Sequence, residues 1–177
     1  MYPASLVATY SIVARDSSNG DLGVATQSKF LAVGSVVPWA RASTGAIATQ
    51  AMANVGYGPT GLDLLAQGLS AQQTLDRLTA EDPERGHRQV GLVDAEGGSA
   101  TYTGDQCFPW AGGVCGPNFA CQGNILTGET TVTTMVTSFA HSQGQPLPER
   151  LVAALAAAQN AGGDRRGQQS AALYVVR

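Results

Sequence analysis

Charge is scarce in this chain: Asp, Glu, Lys and Arg make up 13% of 177 residues, with ten basic against thirteen acidic side chains and a formal net charge of −3. The basic residues are scattered, so the clustered positive footprint that nucleic acid phosphates or an anionic membrane surface require is missing, and neither is expected as a partner. Histidine is nearly absent. His87 and His141 stand far in sequence from the three cysteines, Cys107, Cys115 and Cys121, and no C-x-x-C pair occurs, so no metal is expected. The thiols read as small hydrophobes, with a Cys107 to Cys115 disulfide left open. No apolar run is long enough to span a bilayer, and the apolar leading segment, residues 1–8, lacks both a basic n-region and a full-length h-region, so a cytoplasmic location is the expectation. The G-x-S-x-G elbow, the H-E-x-x-H helix and the phosphate loop are also missing, which leaves the common hydrolase, metalloprotease and nucleotide readings without support.

What remains is apolar material. A hydrophobic content of 44% in a chain of this length describes one globular domain able to bury a core without metal or disulfide. The run TYSIVAR at 9–15, the turn residues DSSNG and a second run at 22–27 predict a hairpin at the front. Further strands are predicted at 35–38 and 45–50, the first bounded by Pro38. Pro59 with Leu62, Leu65 and Leu69 at helical spacing predicts a helix that Gly68 closes, and Ser70 with Gln73 forms a capping-box pattern at the start of a second. A second hairpin follows at 89–95 and 99–103, then a strand at 118–122. Val132, Met135, Val136 and Phe139 mark a third helix by their spacing. A fourth spans 148–159 with Leu151, Val152 and Leu155 turned inward, and a strand at 170–176 ends the chain.

Strands, two helices, strands, two helices and a strand cannot alternate as a doubly wound α/β fold, and the order suits two sheets between helix layers. Gly56-Tyr57-Gly58-Pro59-Thr60-Gly61 spells G-x-G-x-x-G ahead of a helix, but a second helix follows where a dinucleotide site needs a strand, so no cofactor is expected.

The segments TYSIVARD, LGVATQSKFLAVGSVVPWARA, GAIATQAMANVGYGPTGLDLL, RQVGLVDAEG, CQGNIL and GGDRRGQQSAALYVV, in this order, resemble the family known as domain of unknown function 1028, grouped with the N-terminal-nucleophile hydrolases. The resemblance implies a four-layer αββα sandwich, like a proteasome β subunit, over 9–177, and an amidohydrolase acting on a small-molecule or peptide amide. It also implies that Thr9, opening the first strand, is the nucleophile. In such enzymes the residue's own α-amino group serves as the base, which requires a free amino terminus. The leader MYPASLVA stands ahead of Thr9. Either the bond between Ala8 and Thr9 is cut, or the true start differs, or this member has no N-terminal nucleophile and is a ligand-binding or assembly module on the same scaffold.

Around Thr9 the resemblance and the predicted elements suggest partners. Gly123 and Asn124, just after a strand, offer a backbone N–H and a side-chain amide to an oxyanion, against the alternative of an Asn turn. Asp164 is the candidate for orienting the Thr9 amine. Ser28 and Lys29 at the end of the second strand, Arg41 from the next segment, Asn54, and Arg165 are candidate substrate contacts. Each cation has a solvated surface reading beside it, and Asn54 has an Asx-turn reading. Family analogy suggests a homo-oligomer.

Overall fold

The computed structural model describes Val7 and residues 9–177; the rest of the expected leader, residues 1–6 and Ala8, lies outside the described residues. The front hairpin pairs β1 (Thr9–Arg15) with β2 (Leu22–Ser28). Its turn is held by local polar bonds: Asp16 Oδ1 accepts from the Ser18 amide and hydroxyl, Asn19 Oδ1 accepts from the Asp21 amide, and Gly20 takes the left-handed conformation that closes the reversal. The Ser18 hydrogen bond lowers the Asp16 pKa.

Next come β3 (Pro38–Arg41) and β4 (Gly45–Ala51), helices α1 (Tyr57–Ala66) and α2 (Ala71–Ala80), and a hairpin of β5 (Arg88–Asp94) and β6 (Ser99–Thr103). The strands β7 (Gly112–Gly116) and β8 (Phe119–Gly123), helices α3 (Thr130–His141) and α4 (Leu147–Asn160), and β9 (Ser170–Val176) complete the chain. The nine strands form two antiparallel sheets, in the orders β7-β8-β1-β2-β9 and β3-β4-β5-β6.

Side-chain alternation along each strand sorts the core into three apolar layers. Tyr10, Ile12, Ala25 and Cys121 turn toward α3 and α4, where they meet Met135, Leu147 and Leu151. Val13, Val24, Ala46, Ala48, Val93 and Ala120 meet between the sheets. Ile47, Val90 and Leu92 pack against Leu62, Leu65, Leu75 and Leu78 of α1 and α2. Each helix pair thus covers one sheet, and the sheets face one another.

Three local expectations differ from what is seen. Residues 33–35 form a short 3-10 turn, and the strand expected at 35–38 starts only at Pro38. Proline has no N–H to give a ladder, and as the first residue of the edge strand β3 it loses none. The glycine-rich β7 was not expected, because glycine carries little strand preference; β8 supplies the pairing that forms it. On α4, Leu151 is buried, whereas Val152 is 51% exposed and not inward. All three cysteines are free thiols, so Cys107 and Cys115 are not joined. Burial pushes the Cys107 thiol up to about 11, and no described helix is long and apolar enough to cross a membrane.

Candidate active site

Thr9 lies at the first position of β1, opposite Ser28, with its side chain on the face that meets the other sheet, and it is fully buried. Val7 is on that other sheet: its N–H donates to the Ala51 carbonyl at 2.7 Å, and the Ala51 N–H returns the bond to the Val7 carbonyl at 3.0 Å. The chain therefore passes from one sheet to the other between Val7 and Thr9. The Thr9 hydroxyl donates to the same Val7 carbonyl at 2.8 Å. One peptide carbonyl is thus gripped by a backbone N–H and by the threonine hydroxyl together.

Thr9 is also held through its own carbonyl, which accepts from the Asn124 N–H at 3.0 Å and from Gln50 Nε2 at 3.2 Å. Gln50 belongs to a chain of buried amides that ties the sheets together. Gln122 Nε2 donates to Ser11 Oγ at 2.6 Å, Ser11 Oγ donates to Gln50 Oε1 at 2.6 Å, and Gln50 Nε2 donates to Gln89 Oε1 at 2.8 Å. Gln89 Nε2 gives its protons to the Gly123 carbonyl and Thr103 Oγ1, so its Oε1 must be the accepting atom. Asn124 Nδ2 donates to that oxygen at 2.9 Å, which leaves Asn124 Oδ1 buried with no hydrogen-bond partner among the described residues. Two non-glycine residues in the left-handed region, Ala51 (φ 68°) and Ile125 (φ 53°), follow Gln50 and Asn124 directly. Such conformations cost on the order of 1 kcal/mol each and persist where surrounding contacts over-determine them.

The residues singled out from the sequence fall into two groups. Asn124 and Gly123 sit beside Thr9, but the Asn124 N–H and Nδ2 are engaged with Thr9 and Gln89, and β8 Gly123 pairs with Tyr10. The donor that reaches a carbonyl next to the Thr9 hydroxyl is instead the Ala51 N–H. Ser28 is buried opposite Thr9, and Lys29 follows it, its Nζ donating to the Gln168 carbonyl at 3.3 Å. Asp164 is buried at this end of the sheet, where Arg166 Nη2 pairs with its Oδ2 at 2.7 Å and Oδ1 accepts from the Arg166 amide. Its Oδ2 also accepts from the Lys29 N–H at 3.4 Å. In the described structure its partners are thus Arg166 and the Lys29 N–H. Arg165 is exposed and donates to the carbonyls of Pro109 and Leu126, pinning two loops.

Arg41 and Asn54 lie elsewhere. Arg41 pairs with Gly45, at the opposite end of β4 from Ala51, which is roughly 20 Å away for six extended residues, and its guanidinium binds Asp63 at 2.8 Å. Asn54 Oδ1 accepts from the Gly56 N–H in an Asx turn, and its Nδ2 donates to Asp82 Oδ2 at 3.1 Å. Asp82 is the centre of that second cluster, accepting also from Tyr57, Arg88 and the Glu84 N–H. Burial alone raises the Asp82 pKa, but these hydrogen bonds, Arg88 foremost, outweigh it and hold the carboxyl far below the ordinary carboxylate range. Burial likewise pushes the Tyr57 hydroxyl up, helped by its bond to Asp82.

Ala51, Gln50, Gln89 and Gln122 were not singled out from the sequence. A usable signal was present: each glutamine interrupts an otherwise apolar strand, and a buried amide must find partners. Nothing in the sequence marked Ala51, because its part is played by a backbone N–H.

A family model described as "Family of unknown function (DUF1028)" matches residues 9–177. The chain belongs to the DUF1028 family. The crystal structure of protein SPO2555 from Silicibacter pomeroyi, a DUF1028 protein, is similar to this DUF1028 chain at 30% identity and a TM-score of 0.89, over 96% of this chain and 73% of that one. No curated protein matches the chain closely enough to carry an argument.

Proposed function

We propose that this DUF1028 chain is an amidohydrolase of the N-terminal-nucleophile type on a four-layer αββα sandwich, with Thr9 as nucleophile and a small-molecule or peptide amide as substrate. The observation that carries the reading is the Val7 carbonyl, which accepts at once from the Thr9 hydroxyl and the Ala51 N–H. A peptide carbonyl thus fits beside the hydroxyl with a fixed backbone donor on its oxygen, which is one element that acyl transfer needs; attack further requires the hydroxyl, which here donates to the oxygen, to turn toward the carbonyl carbon.

In this reading cleavage between Ala8 and Thr9 withdraws Val7 and frees the Thr9 amine, whose ordinary pKa of about 8 suits a base near neutrality. The amine takes the hydroxyl proton as Thr9 Oγ1 bonds to the substrate carbonyl carbon, and the Ala51 N–H stabilises the oxyanion. The C–N bond then breaks, the leaving amine takes the proton, and water hydrolyses the ester to restore the hydroxyl. Asn124 holds the Thr9 carbonyl, and its Oδ1, without a partner among the described residues, is the acceptor for the freed ammonium. Ser28 and Lys29 are the candidate substrate contacts at this end of the sheet. Arg41 is not, being at the far end of β4.

The burial of Thr9 and Val7 favours a second reading, a ligand-binding or assembly module that never exposes the amine. Mass spectrometry of the purified protein separates them. The amidohydrolase reading expects a species beginning at Thr9 and at least about a thousandfold loss of amide hydrolysis in Thr9→Ala, as for loss of a nucleophile. A fully functional protein retaining Val7 supports the module.

A further inference from the structure

On the other side of the β1–β2 hairpin from Thr9, a hollow of about 340 Å³ opens between α4 and the β2–β9 pair. It exists because the side chains that should fill it are short. Ala171 lies opposite Gln27 and Leu173 opposite the small Ala25, while α4 presents Ala156 along with Val152 and Leu155. The walls are mostly apolar, with Gln27, Gln159, Gln168 and the Tyr10 hydroxyl as their polar groups, and the volume falls at the lower end of the range for small-molecule sites, ~300–1,000 Å³.

One of these polar groups is both buried and unmatched among the described residues. Gln27 lines the hollow, and also lines an adjoining hollow beside Gln169 and Ser170, with only 7% of its surface exposed. Both its Oε1 and its Nε2 are buried with no hydrogen-bond partner among the described residues. Leaving such a donor and acceptor unmatched costs about 1–3 kcal/mol for each group, and the other buried strand amides, Gln50, Gln89 and Gln122, all have partners. The neighbouring Tyr10 hydroxyl gives its proton to Gln159 Oε1 at 3.1 Å and has none left for Gln27 Oε1.

We infer that the hollow is a binding site for a neutral amphiphile carrying a primary carboxamide or lactam on a short apolar body. The edge of a Gln amide offers one N–H and one C=O side by side, and a carboxamide presents the same pair in reverse, so the two close a ring of two hydrogen bonds. Both polar atoms of Gln27 are shielded from solvent in the unliganded protein, so binding requires the side chain to turn, which the broad last torsion of a glutamine allows, while the aliphatic tail lies on Val152, Leu155 and Leu173. No charged side chain lines the hollow, which disfavours an ion in so apolar a place. The site is separate from Thr9 and needs no processing of the chain: Tyr10 and Gln27 face α4, whereas Thr9 and Ser28 face the other sheet.

Hexanamide is a suitable probe, with its N,N-dimethyl derivative, which has lost both donors, as the control. Titration of the full-length protein, followed by amide NMR, is expected to shift the Gln27 side-chain NH2 and the Ala171 and Leu173 backbone signals saturably, with a dissociation constant of about 1 mM for so small a ligand. Gln27→Leu is expected to weaken binding at least tenfold, and the dimethyl compound to bind the native chain at least tenfold more weakly. Ala156→Phe, which fills the hollow from the helix side, should abolish binding with Gln27 intact, so the conclusion does not hang on one variant folding. No saturable shift at these positions, or equal affinities for hexanamide in the native and Gln27→Leu proteins, overturns the inference.

Discussion

At Thr9 the hydroxyl and the carbonyl of one residue have different partners: the hydroxyl is turned to Val7, and the carbonyl is clamped by Asn124 and Gln50. The clamp fixes the threonine whether or not the bond ahead of it is cut, because none of its atoms belongs to the leader. Asp82 shows the same economy in a structural role. It carries hydrogen bonds from Arg88, Tyr57, Asn54 and the Glu84 N–H, with a side chain only 5% exposed. Asp82→Asn removes the charge that Arg88 faces and is expected to destabilise the fold by about 3 kcal/mol at neutral pH, as for breaking a buried pair. The pH dependence has a definite sign. The folded pKa lies below the unfolded value of about 3.9, so this stabilisation is complete above that pH and is lost as pH falls toward the folded pKa. Urea denaturation across pH should therefore show the native chain and Asp82→Asn converging below about pH 4.

At the scale of elements, α2 is the best-marked helix in the chain. The Ser70 hydroxyl accepts from the Gln73 N–H at 3.3 Å, the Gln73 side chain accepts from the Ser70 N–H at 2.9 Å, and Leu75 and Leu78 supply the buried stripe. Ser70→Ala should cost about 1 kcal/mol, read as a shift of the denaturation midpoint without a change in slope. The strands at 9–15, 45–51, 88–94 and 170–176 were legible because alternation, turn residues and β-branched content agreed. The glycine-rich β7 and the late start of β3 were not, because pairing with a neighbour, rather than local preference, makes those strands. Val152 was misplaced for a related reason: helical spacing identifies an apolar stripe, but the width of the stripe that is covered depends on what packs against it.

At the scale of the whole molecule, the two sheets are brought close by glycine at the points where amides must cross. A Cβ at Gly91 of β5 would overlap the Gln122 amide of β8, which is itself fixed by Ser11 and Thr101 and cannot swing aside. Gly91→Ala should destabilise by about 2 kcal/mol, in the range of overpacked core sites, with the loss seen in thermal denaturation. The amide chain from Gln122 through Ser11 and Gln50 to Gln89 runs across this gap and ends at the residues that hold Thr9. Sheet spacing and the geometry at the head of β1 are therefore set together.

The order of the strands and helices apart from β7 and the start of β3, the front hairpin with its DSSNG turn, and the capped second helix were determined by the sequence by itself, because each rests on contacts within a few residues. Thr9 at the head of the first strand belongs with these. The tertiary structure alone decided that Val7 joins the other sheet, that four strand glutamines separate into a shared network and one amide, at Gln27, unmatched among the described residues, that Ala51 supplies a backbone donor, and that Arg41 lies a strand's length from Thr9. These depend on register between strands far apart in the chain, where a shift of one residue reverses every side chain and no local preference records the choice.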